Sequence, residues 1–389
     1  MKQIPMLDLK LEYKYMKDDI DSAIKRCLEH QKWILGPEVK ELEEKIAQYL
    51  GVKHCIGVSS GTDALVLSLR TLAIKLKGKE YFDRKDEIIT TPFTFTATGD
   101  AILRAGATPV FVDIDPATYN IDPVKIKEYL TSCPSPAGII PVHLYGLPCD
   151  MDEIMDIAEE FKLFVLEDIA QAFGGMWKGR KLGSIGIAGT LSFFPSKNLG
   201  GFGDGGMVAT NHREIAELVR MLLRHGGKDK YNASHIGYNA RLDTLQAGII
   251  LAKFNYIDEF NERRMRIAKT YYEELKDLDG LILPIKYNQL NTNNLHHVYH
   301  QYTVRILNGK RDDLKKYLKE KGISTMVYYP VPLHKMQVFD GKIKIFNELN
   351  QSEQAIMEVL SLPIEPLMEE EDILSVVEAI REFLKRDSN

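Results

Sequence analysis

The first 210 residues alternate short apolar runs with stretches of helical spacing, and this alternation restricts the possible folds more than any other feature of the sequence. The apolar runs predict strands at 54–58, 86–92, 108–115, 138–146, 162–168, 190–194 and 205–210. The stretches between them predict helices at 62–76, 96–106, 122–130 and 150–161. Strands that alternate with crossover helices favour a mainly parallel sheet with helices on both faces. The sequence therefore predicts an α/β fold.

The rest of the chain has a different pattern, a long helix followed by a smaller α+β region. Its predicted elements are a helix at 245–275, a strand at 301–306, a helix at 311–322, a strand at 323–330 and an amphipathic helix at 369–386. The chain has 389 residues, and single cores stop growing at about 250–300 residues. We therefore predict a large domain at 1–255 and a small C-terminal domain at 256–389.

Composition and charge exclude several classes of protein. The hydrophobic fraction of 44% and the charged fraction of 27% are typical of globular chains, and the net charge of -5 argues against a nucleic-acid-binding surface. The sequence has no apolar run of 18 residues and no apolar segment near its start, so we expect neither a membrane span nor a signal peptide. The four cysteines, which form no CxxC pair, predict reduced thiols in a cytoplasmic enzyme without a metal site; they are Cys27, Cys55, Cys133 and Cys149.

Lys197 directly follows an apolar strand and precedes a glycine-rich turn. Ligands of open parallel sheets bind at the carboxyl ends of the strands, which makes this lysine a candidate site residue; the alternative is a lysine in a surface loop. Residues 201–206 fit the GxGxxG pattern of dinucleotide-binding proteins. That pattern requires a helix after the glycines, and here a predicted strand follows, so we reject it.

Asp168 ends another predicted strand, so it and Lys197 can face one crevice. A carboxylate can hold a protonated pyridine nitrogen and a lysine can form a Schiff base, which are the two protein groups that pyridoxal phosphate chemistry needs. The alternative for Asp168 alone is a helix N-cap.

Small polar residues, 59–63, lie between a predicted strand and a predicted helix. Free N–H groups and the helix dipole at such a position can bind a phosphate monoester, and the lysine of the GxxxxGK[ST] triphosphate motif is missing. The alternative is that Thr62 or Asp63 is an ordinary helix cap. A phosphate cradle, a pyridinium partner and a reactive lysine would thus lie at three strand ends.

Motifs along almost the whole chain carry a resemblance to a known family; they are ILGPEVKELEEKIAQYLG, SSGTDAL, PFTFTATGDAILRAGATPVFVDID, PVHLYG, EDIAQAFG, SFFPSKNLGGFGDGG, RHG, YNARLDTLQA, QYTVR and YYPVPLH. The chain resembles the DegT/StrS-type sugar aminotransferases, which are fold-type-I pyridoxal phosphate enzymes acting on nucleotide-linked keto sugars. The resemblance implies an aspartate-aminotransferase-like fold with a large cofactor domain and a smaller α+β C-terminal domain. It also implies a homodimer with shared active sites.

The resemblance assigns cofactor roles by position. Lys197 matches the lysine that binds the cofactor covalently, and Asp168 matches the partner of the ring nitrogen. Gln171 matches the residue near the phenolic oxygen. Phe95 matches the aromatic that stacks on the ring, and a core phenylalanine is its alternative.

The phosphate and substrate contacts are assigned in the same way. Gly61, Thr62 and Ser192 match phosphate ligands. Asn239 matches a phosphate ligand from the partner subunit, and Arg241 lies in the same loop near the substrate. The remaining substrate candidates come from the motif YYPVPLH; they are Tyr328, Tyr329 and His334.

The sugar 3-aminotransferases, including UDP-2-acetamido-2-deoxy-3-oxo-glucuronate aminotransferases, are the most similar subgroup. The resemblance therefore implies transfer of an amino group from L-glutamate to a UDP-linked 3-keto sugar, for cell-surface polysaccharide or lipopolysaccharide synthesis. The alternatives are amination at C4, a dTDP-3-keto-6-deoxyhexose substrate, or a pyridoxal-phosphate-binding regulator without catalysis. This subgroup has His-Tyr-Pro where the present chain has Tyr328-Tyr329-Pro330. If the histidine of the subgroup contacts the sugar, Tyr328 in its place affects which sugar the chain binds.

Two further features have no assigned function in the sequence. Residues 75–87 form an additional segment that we predict to be helical. His296, His297 and His300 lack the neighbouring acid of an HExxH motif, and we predict that they are loop or surface residues.

Overall fold

The computed structural model describes residues 2–132, 136–229, 231–284 and 295–386. Its helices are α1 (Leu9–Tyr15), α2 (Lys17–His30), α3 (Pro37–Leu50), α4 (Gly61–Lys77), α5 (Thr96–Arg104), α6 (Pro123–Ser132), α7 (Met151–Phe161), α8 (Arg213–Leu222), α9 (Thr244–Phe254), α10 (Ile257–Leu275), α11 (Arg311–Glu320), α12 (Asn350–Glu358) and α13 (Glu370–Arg386). Its strands are β1 (His54–Val58), β2 (Glu87–Thr90), β3 (Thr108–Phe111), β4 (Gly138–Ile139), β5 (Phe164–Asp168), β6 (Met176–Trp177), β7 (Arg180–Lys181), β8 (Ala188–Ser192), β9 (Gly206–Thr210), β10 (Leu281–Ile282), β11 (Leu295–His296), β12 (Tyr302–Ile306), β13 (Lys344–Ile345) and β14 (Val359–Leu362). Each helix of the described ranges is too short or too polar to cross a bilayer.

The largest sheet of the described residues has the strand order β1-β9-β8-β5-β4-β2-β3-β13. In this order, the six strands β8, β5, β4, β2, β3 and β13 are each parallel to their neighbours among the six. Strand β9 is antiparallel to both β8 and β1. The predicted α/β fold with a mainly parallel sheet is therefore confirmed. The strand after the glycines 201–206 is β9, which agrees with the rejection of the dinucleotide motif.

Helices cover both faces of this sheet because successive strand residues point to opposite sides. Ile88 packs with α4, α5 and α8 on one face, whereas its neighbour Ile89 packs with α3, α6, α7 and α9 on the other. The carboxyl ends of β5 and β8 meet at one edge, since Asp168 lies opposite Thr190 in the parallel register. This edge is where the candidate site lies.

The C-terminal part has its own antiparallel sheet, β10-β12-β14, which packs with α10, α11 and α13 in a second core. The strand predicted at 323–330 is wrong as a regular strand: Ile323 and Met326 form only isolated bridges, with Ile4 and Ser361. Prolines at positions 330 and 332 lack the N–H groups that a continuing ladder requires. The division at residue 255 stays a prediction, and β13 crosses it by joining the large sheet beside β3.

The segment 75–87 is not the predicted additional helix. Helix α4 ends at Lys77, and Gly78, with φ of +64°, ends it in the left-handed conformation. The Gly78 N–H donates to the Ile74 carbonyl at 3.0 Å, which satisfies one of the last carbonyls of the helix. A turn then leads to β2 at Glu87, so this segment is a helix end joined to a loop.

The described cysteines Cys27, Cys55 and Cys149 are free and buried, and Cys133 lies outside the described residues.

A fully buried carboxylate, Glu167, fixes the end of β5. Its oxygens accept backbone N–H groups from Gly183 (2.8 Å), Ile185 (2.7 Å) and Gly186 (2.7 Å). The His143 ring adds a bond at 3.3 Å, and because its Nδ1 accepts from the Cys149 N–H, its Nε2 carries the proton that it donates. These bonds tie the loop after β7 to the strand that carries Asp168.

We expect Glu167→Gln to lower the free energy of unfolding by about 3 kcal/mol, because the new amide group cannot accept the buried N–H groups that an ionised oxygen accepts. Chemical denaturation of both proteins measures the difference. Glu160→Gln is the matched control, since that side chain is 55% exposed and should change the stability little. Equal stability of Glu167→Gln and the wild-type protein would contradict this role.

Candidate active site

A cavity of about 480 Å³ opens at the carboxyl ends of β5 and β8. It is the place where most of the predicted site residues come together; those lining it are Gly61, Thr62, Phe95, Asp168, Gln171, Ser192, Lys197, Tyr328 and Tyr329. The strand ends therefore bring the predicted phosphate cradle, the carboxylate and the lysine to one space.

Asp168 is 6% exposed and is held by two hydrogen bonds. The Thr98 hydroxyl donates to Oδ2 and the Ala170 N–H donates to Oδ1, each at 3.1 Å. Burial raises the pKa of the carboxyl above its ordinary value, and the two hydrogen bonds and the charge of Lys197 oppose that rise. Asp168 is a desolvated, oriented carboxyl group, and a cationic ligand atom would favour its ionised form.

Lys197 lies in the turn that follows β8, where its N–H donates to the Phe194 carbonyl at 2.8 Å. Withdrawal of its ammonium group from water lowers the pKa of Lys197 to about 8, although the charge of Asp168 acts in the opposite direction. A large share of this amine is therefore neutral, and thus nucleophilic, near pH 8. The interpretation of Lys197 as a surface loop residue is wrong.

The start of α4 forms a cradle for an anion. The Ser60 hydroxyl caps the helix by accepting the Asp63 N–H at 3.0 Å, so the cap is Ser60 rather than Thr62 or Asp63. The first N–H groups of a helix, here those of Gly61 and Thr62, have no intrahelical acceptor. A Cβ at Gly61 would lie 2.7 Å from the Ser192 Cβ, so only glycine allows this close approach between α4 and β8.

Aromatic and amide groups form the opposite wall. Phe95 is 55% exposed at the start of α5, with its ring centroid 6.1 Å from that of Tyr329, so its interpretation as a core residue is wrong. The Gln171 amide donates to the Tyr329 hydroxyl at 2.8 Å and accepts the Tyr145 N–H at 2.8 Å. The carbonyl of Tyr328 accepts from the Tyr145 hydroxyl. These contacts join β5 to the C-terminal part of the chain.

Three of the predicted site residues do not line this cavity; they are Asn239, Arg241 and His334. His334 is buried elsewhere, with its Nε2 3.1 Å from Glu353 Oε1. Arg241 donates to the Asn239 side chain and lines a separate depression of about 340 Å³ together with Arg224. The substrate role predicted for His334 therefore has no support from its position within this subunit.

Two residues of the site, Thr98 and His300, were not identified as site residues from the sequence. Thr98 lies within the motif PFTFTATGDAIL, but no role was assigned to it, and only the fold shows that α5 directs its hydroxyl at Asp168. His300 lies in a loop, as predicted, but it is 5% exposed and lines the cavity, so its interpretation as a surface residue is wrong. His297, at 3% exposed, is buried too.

The tautomer of His300 follows from its neighbour. The Asn198 amide donates to Asn261 Oδ1 at 2.7 Å and to the Val298 carbonyl at 3.2 Å, so its own oxygen accepts from the Nδ1–H of His300 at 3.0 Å. Burial, together with the charge of Lys197, holds the pKa of His300 well below its ordinary value. His300 is therefore neutral, with the lone pair on Nε2.

Comparison with known proteins identifies relatives across nearly the whole chain. The family model described as "DegT/DnrJ/EryC1/StrS aminotransferase family" matches residues 14–381. A "Pleiotropic regulatory protein" of Geobacillus stearothermophilus is 44% identical over 98% of this chain and 99% of that protein. A dTDP-3-amino-3,6-dideoxy-alpha-D-galactopyranose transaminase of Aneurinibacillus thermoaerophilus is 42% identical, covering 98% of this chain and 99% of that protein.

A UDP-2-acetamido-2-deoxy-3-oxo-D-glucuronate aminotransferase of Pseudomonas aeruginosa is 40% identical over 97% of this chain and 99% of that protein. Among solved structures, NtdA of Bacillus subtilis with bound cofactor PMP has a TM-score of 0.86 and 30% identity, covering 99% of this chain and 86% of that chain. The predicted fold type I is consistent with this likeness.

We expect the apo-protein to capture pyridoxal phosphate covalently at a rate that rises with pH through about 8, because the neutral form of Lys197 is the nucleophile. Asp168→Asn should move this midpoint to lower pH, since the nearby negative charge favours the ammonium form. Stopped-flow absorbance at pH values from about 6 to about 10 measures the rate of covalent capture as a function of pH. A rate that stays low up to about pH 9 and is still rising at about pH 10, as for an exposed lysine, would contradict the desolvated environment.

Proposed function

Because the chain belongs to the DegT/DnrJ/EryC1/StrS aminotransferase family, we propose for it a specific reaction, the conversion of a UDP-linked 3-keto sugar to the 3-amino sugar with L-glutamate as amine donor. The general activity is that of the family, transfer of an amino group to a nucleotide-linked keto sugar with pyridoxal phosphate. The observation that carries the general activity is the pairing of a desolvated lysine, Lys197, with a buried carboxyl, Asp168, in one cavity, and the specific sugar and donor are proposed from resemblance.

The residues of the cavity fit the cofactor. The glycine at position 61 leaves room at the start of α4 where a Cβ would collide with Ser192, and the N–H groups there suit a phosphate. Phe95 offers an exposed aromatic face for a flat ring, and Gln171, three residues after Asp168, lines the same cavity. We assign these residues, with Thr62 and Ser192, to cofactor binding. Pyridoxal phosphate, when bound, supplies an electron sink for negative charge at the carbon that bears the transferred amine.

The protein groups divide the proton chemistry between them. Lys197 with a pKa of about 8 can accept a proton from the donor carbon and return it, which is the function of a general acid–base near neutral pH. Asp168 would hold the proton on the pyridine nitrogen of the bound cofactor, and the Thr98 hydroxyl orients the carboxylate for this role. Neutral His300 adds an acceptor lone pair to the wall of the cavity without adding positive charge.

The second depression supports an anionic substrate and a second subunit. Arg224, Lys228 and Arg241 line it, which suits a nucleotide diphosphate. Arg241 and Asn239 lie outside the cavity of their own subunit, so we propose that they complete the site of a partner in a homodimer. Exposed Trp33, Ile34 and Leu35 form an apolar surface beside this loop, since Ile34 bridges Asp243.

The sugar is proposed from resemblance, and Tyr328 is the residue most relevant to it. Both UDP- and dTDP-linked substrates occur in the names of the relatives, and the motifs RLDTLQA, QYTVR and PVPLH favour the subgroup acting at C3. Tyr328 and Tyr329 line the cavity and remain substrate candidates, with the Tyr329 hydroxyl already bound to Gln171.

We propose a biosynthetic place in cell-surface polysaccharide or lipopolysaccharide formation, in the cytoplasm. The free thiols of Cys27, Cys55 and Cys149 are in keeping with a reducing compartment. The alternative is a regulator without catalysis, and one relative is named as a regulatory protein. The presence of Lys197 and Asp168 in the cavity argues against this alternative.

A substrate panel tests the proposed sugar. Holoenzyme charged with L-glutamate is mixed with UDP- and dTDP-linked 3-keto and 4-keto sugars, and mass spectrometry measures the amino sugars formed. We expect kcat/KM for the UDP-linked 3-keto sugar to exceed that of every other compound by at least about tenfold. A faster dTDP-linked or 4-keto substrate would replace the proposed sugar by that compound.

The variant Lys197→Ala tests the lysine. We expect it to bind the cofactor noncovalently and to release 2-oxoglutarate from L-glutamate at least about a thousandfold more slowly than the wild-type enzyme, because the proton carrier is gone. Lys178→Ala is the control, since that side chain is 63% exposed and contacts surface Asp152 and the Trp177 ring, away from the cavity. Release of 2-oxoglutarate at the wild-type rate by Lys197→Ala would refute the assignment.

A further inference from the structure

Arg70 is a fully buried arginine in the middle of α4. A guanidinium removed from water needs partners for its charge and its donors, or burial costs several kcal/mol. Those partners come from two places far apart in the sequence, the loop 78–86 after α4 and the segment 235–241. We call residues 235–241 the return segment, because they lead the chain back to α9.

The guanidinium contacts both places at once. Its Nη2 donates to Glu80 Oε2 at 2.9 Å and to the Ile236 carbonyl at 3.0 Å, and its Nη1 donates to the Tyr238 hydroxyl at 2.7 Å. Its Nε donates to the Glu80 carbonyl. The Tyr81 ring covers the guanidinium, with its centroid 3.7 Å from the central carbon. Arg70 is thus held by charge, hydrogen bonds and an aromatic face.

Glu80 makes a second set of bonds to the return segment. Its Oε1 lies 2.7 Å from His235 Nδ1, and its Oε2 accepts the Ile236 N–H at 3.2 Å. The Glu80 carboxylate therefore contacts the Arg70 guanidinium, the His235 ring and the Ile236 backbone N–H. Glu80 belongs to the additional segment for which the sequence indicated no function.

The return segment connects these bonds to the groups proposed to bind phosphate. The Tyr238 N–H donates to the Leu222 carbonyl at 2.7 Å, and the next residue, Asn239, forms a bridge with Arg224. The Ala240 carbonyl accepts the Ser59 N–H at 3.0 Å, directly before the cradle of α4. A displacement at 235–238 would therefore move both Asn239 and the start of the cradle.

We propose that Arg70, Glu80 and Tyr81 are positioning residues that fix the return segment so that Arg241 reaches the phosphates of the nucleotide sugar and Asn239 reaches the phosphate of the cofactor. The inference rests on the proposed function of that loop. Glu80 acts through His235 and Ile236, and Arg70 acts through Ile236 and Tyr238. The additional segment thereby has a purpose, the placement of a substrate-binding loop.

Glu80→Ala is the informative variant, because its side chain is one-third exposed and its loss spares the hydrophobic core, whereas an Arg70 variant could fail to fold. Lys79→Ala is the matched control, since the adjacent Lys79 is 56% exposed and forms an ion pair with Asp83 in the same loop. Glu80→Gln keeps the shape of the side chain and an acceptor oxygen, so we expect it to retain part of the positioning that Glu80→Ala loses.

The first readout is backbone hydrogen exchange, which does not depend on any substrate. We expect faster exchange across 235–241 in Glu80→Ala, intermediate exchange in Glu80→Gln and unchanged exchange in Lys79→Ala. Unchanged exchange in Glu80→Ala would overturn the positioning role, whatever the enzyme's substrate is.

The second readout separates substrate binding from chemistry. With cofactor in excess, Glu80→Ala should raise the KM for the nucleotide sugar about tenfold, while the rate of the half-reaction with L-glutamate stays within about twofold of the wild-type rate. Faster exchange with an unchanged KM would overturn the substrate part of the inference. If the wild-type holoenzyme turns over no nucleotide sugar, the proposed function fails instead, and the exchange result still stands by itself.

Discussion

The pairing of β5 with β8 is the constraint on which the rest of the structure depends. The parallel register sets Asp168 opposite Thr190, so that the chain beyond each strand enters the same cavity. Burial then acts on the two ionisable groups in opposite ways, raising the pKa of the Asp168 carboxyl and lowering that of the Lys197 ammonium. Amine transfer requires a carboxylate beside the ring nitrogen and an amine that is largely neutral near pH 8, and the sheet brings Asp168 and Lys197 to one cavity for these two roles.

Two adjacent carboxyl groups on β5 show how a strand separates support from chemistry. Because strand residues alternate, Glu167 and Asp168 point to opposite sides. Glu167 accepts three backbone N–H groups and the His143 ring, so it holds the scaffold, whereas Asp168 makes few bonds and faces the cavity. The same arrangement explains why the two residues cannot exchange functions.

The sequence predicted the features that depend on local pattern and failed on those that depend on distant contacts. Hydrophobic runs located the strand ends, and strand ends locate sites in parallel sheets, so Lys197 and Asp168 were found together. Thr98 and His300 were missed because their importance arises from packing against Asp168 and beside Lys197, for which no spacing exists in the sequence. The prediction of a helix at 75–87 failed because Gly78 ends α4 and Glu80 turns toward Arg70.

The most direct test of the central claim, that Lys197 is the cofactor lysine of an aminotransferase site, is borohydride reduction of the holoenzyme followed by peptide mass spectrometry. Reduction converts a covalent lysine–cofactor bond into a stable secondary amine that marks its residue. The structure predicts the mark on the peptide containing Lys197 and its loss after prior incubation with L-glutamate, which removes the cofactor from the lysine. A mark on another lysine, such as the half-buried Lys181, or no mark at all, would contradict the account.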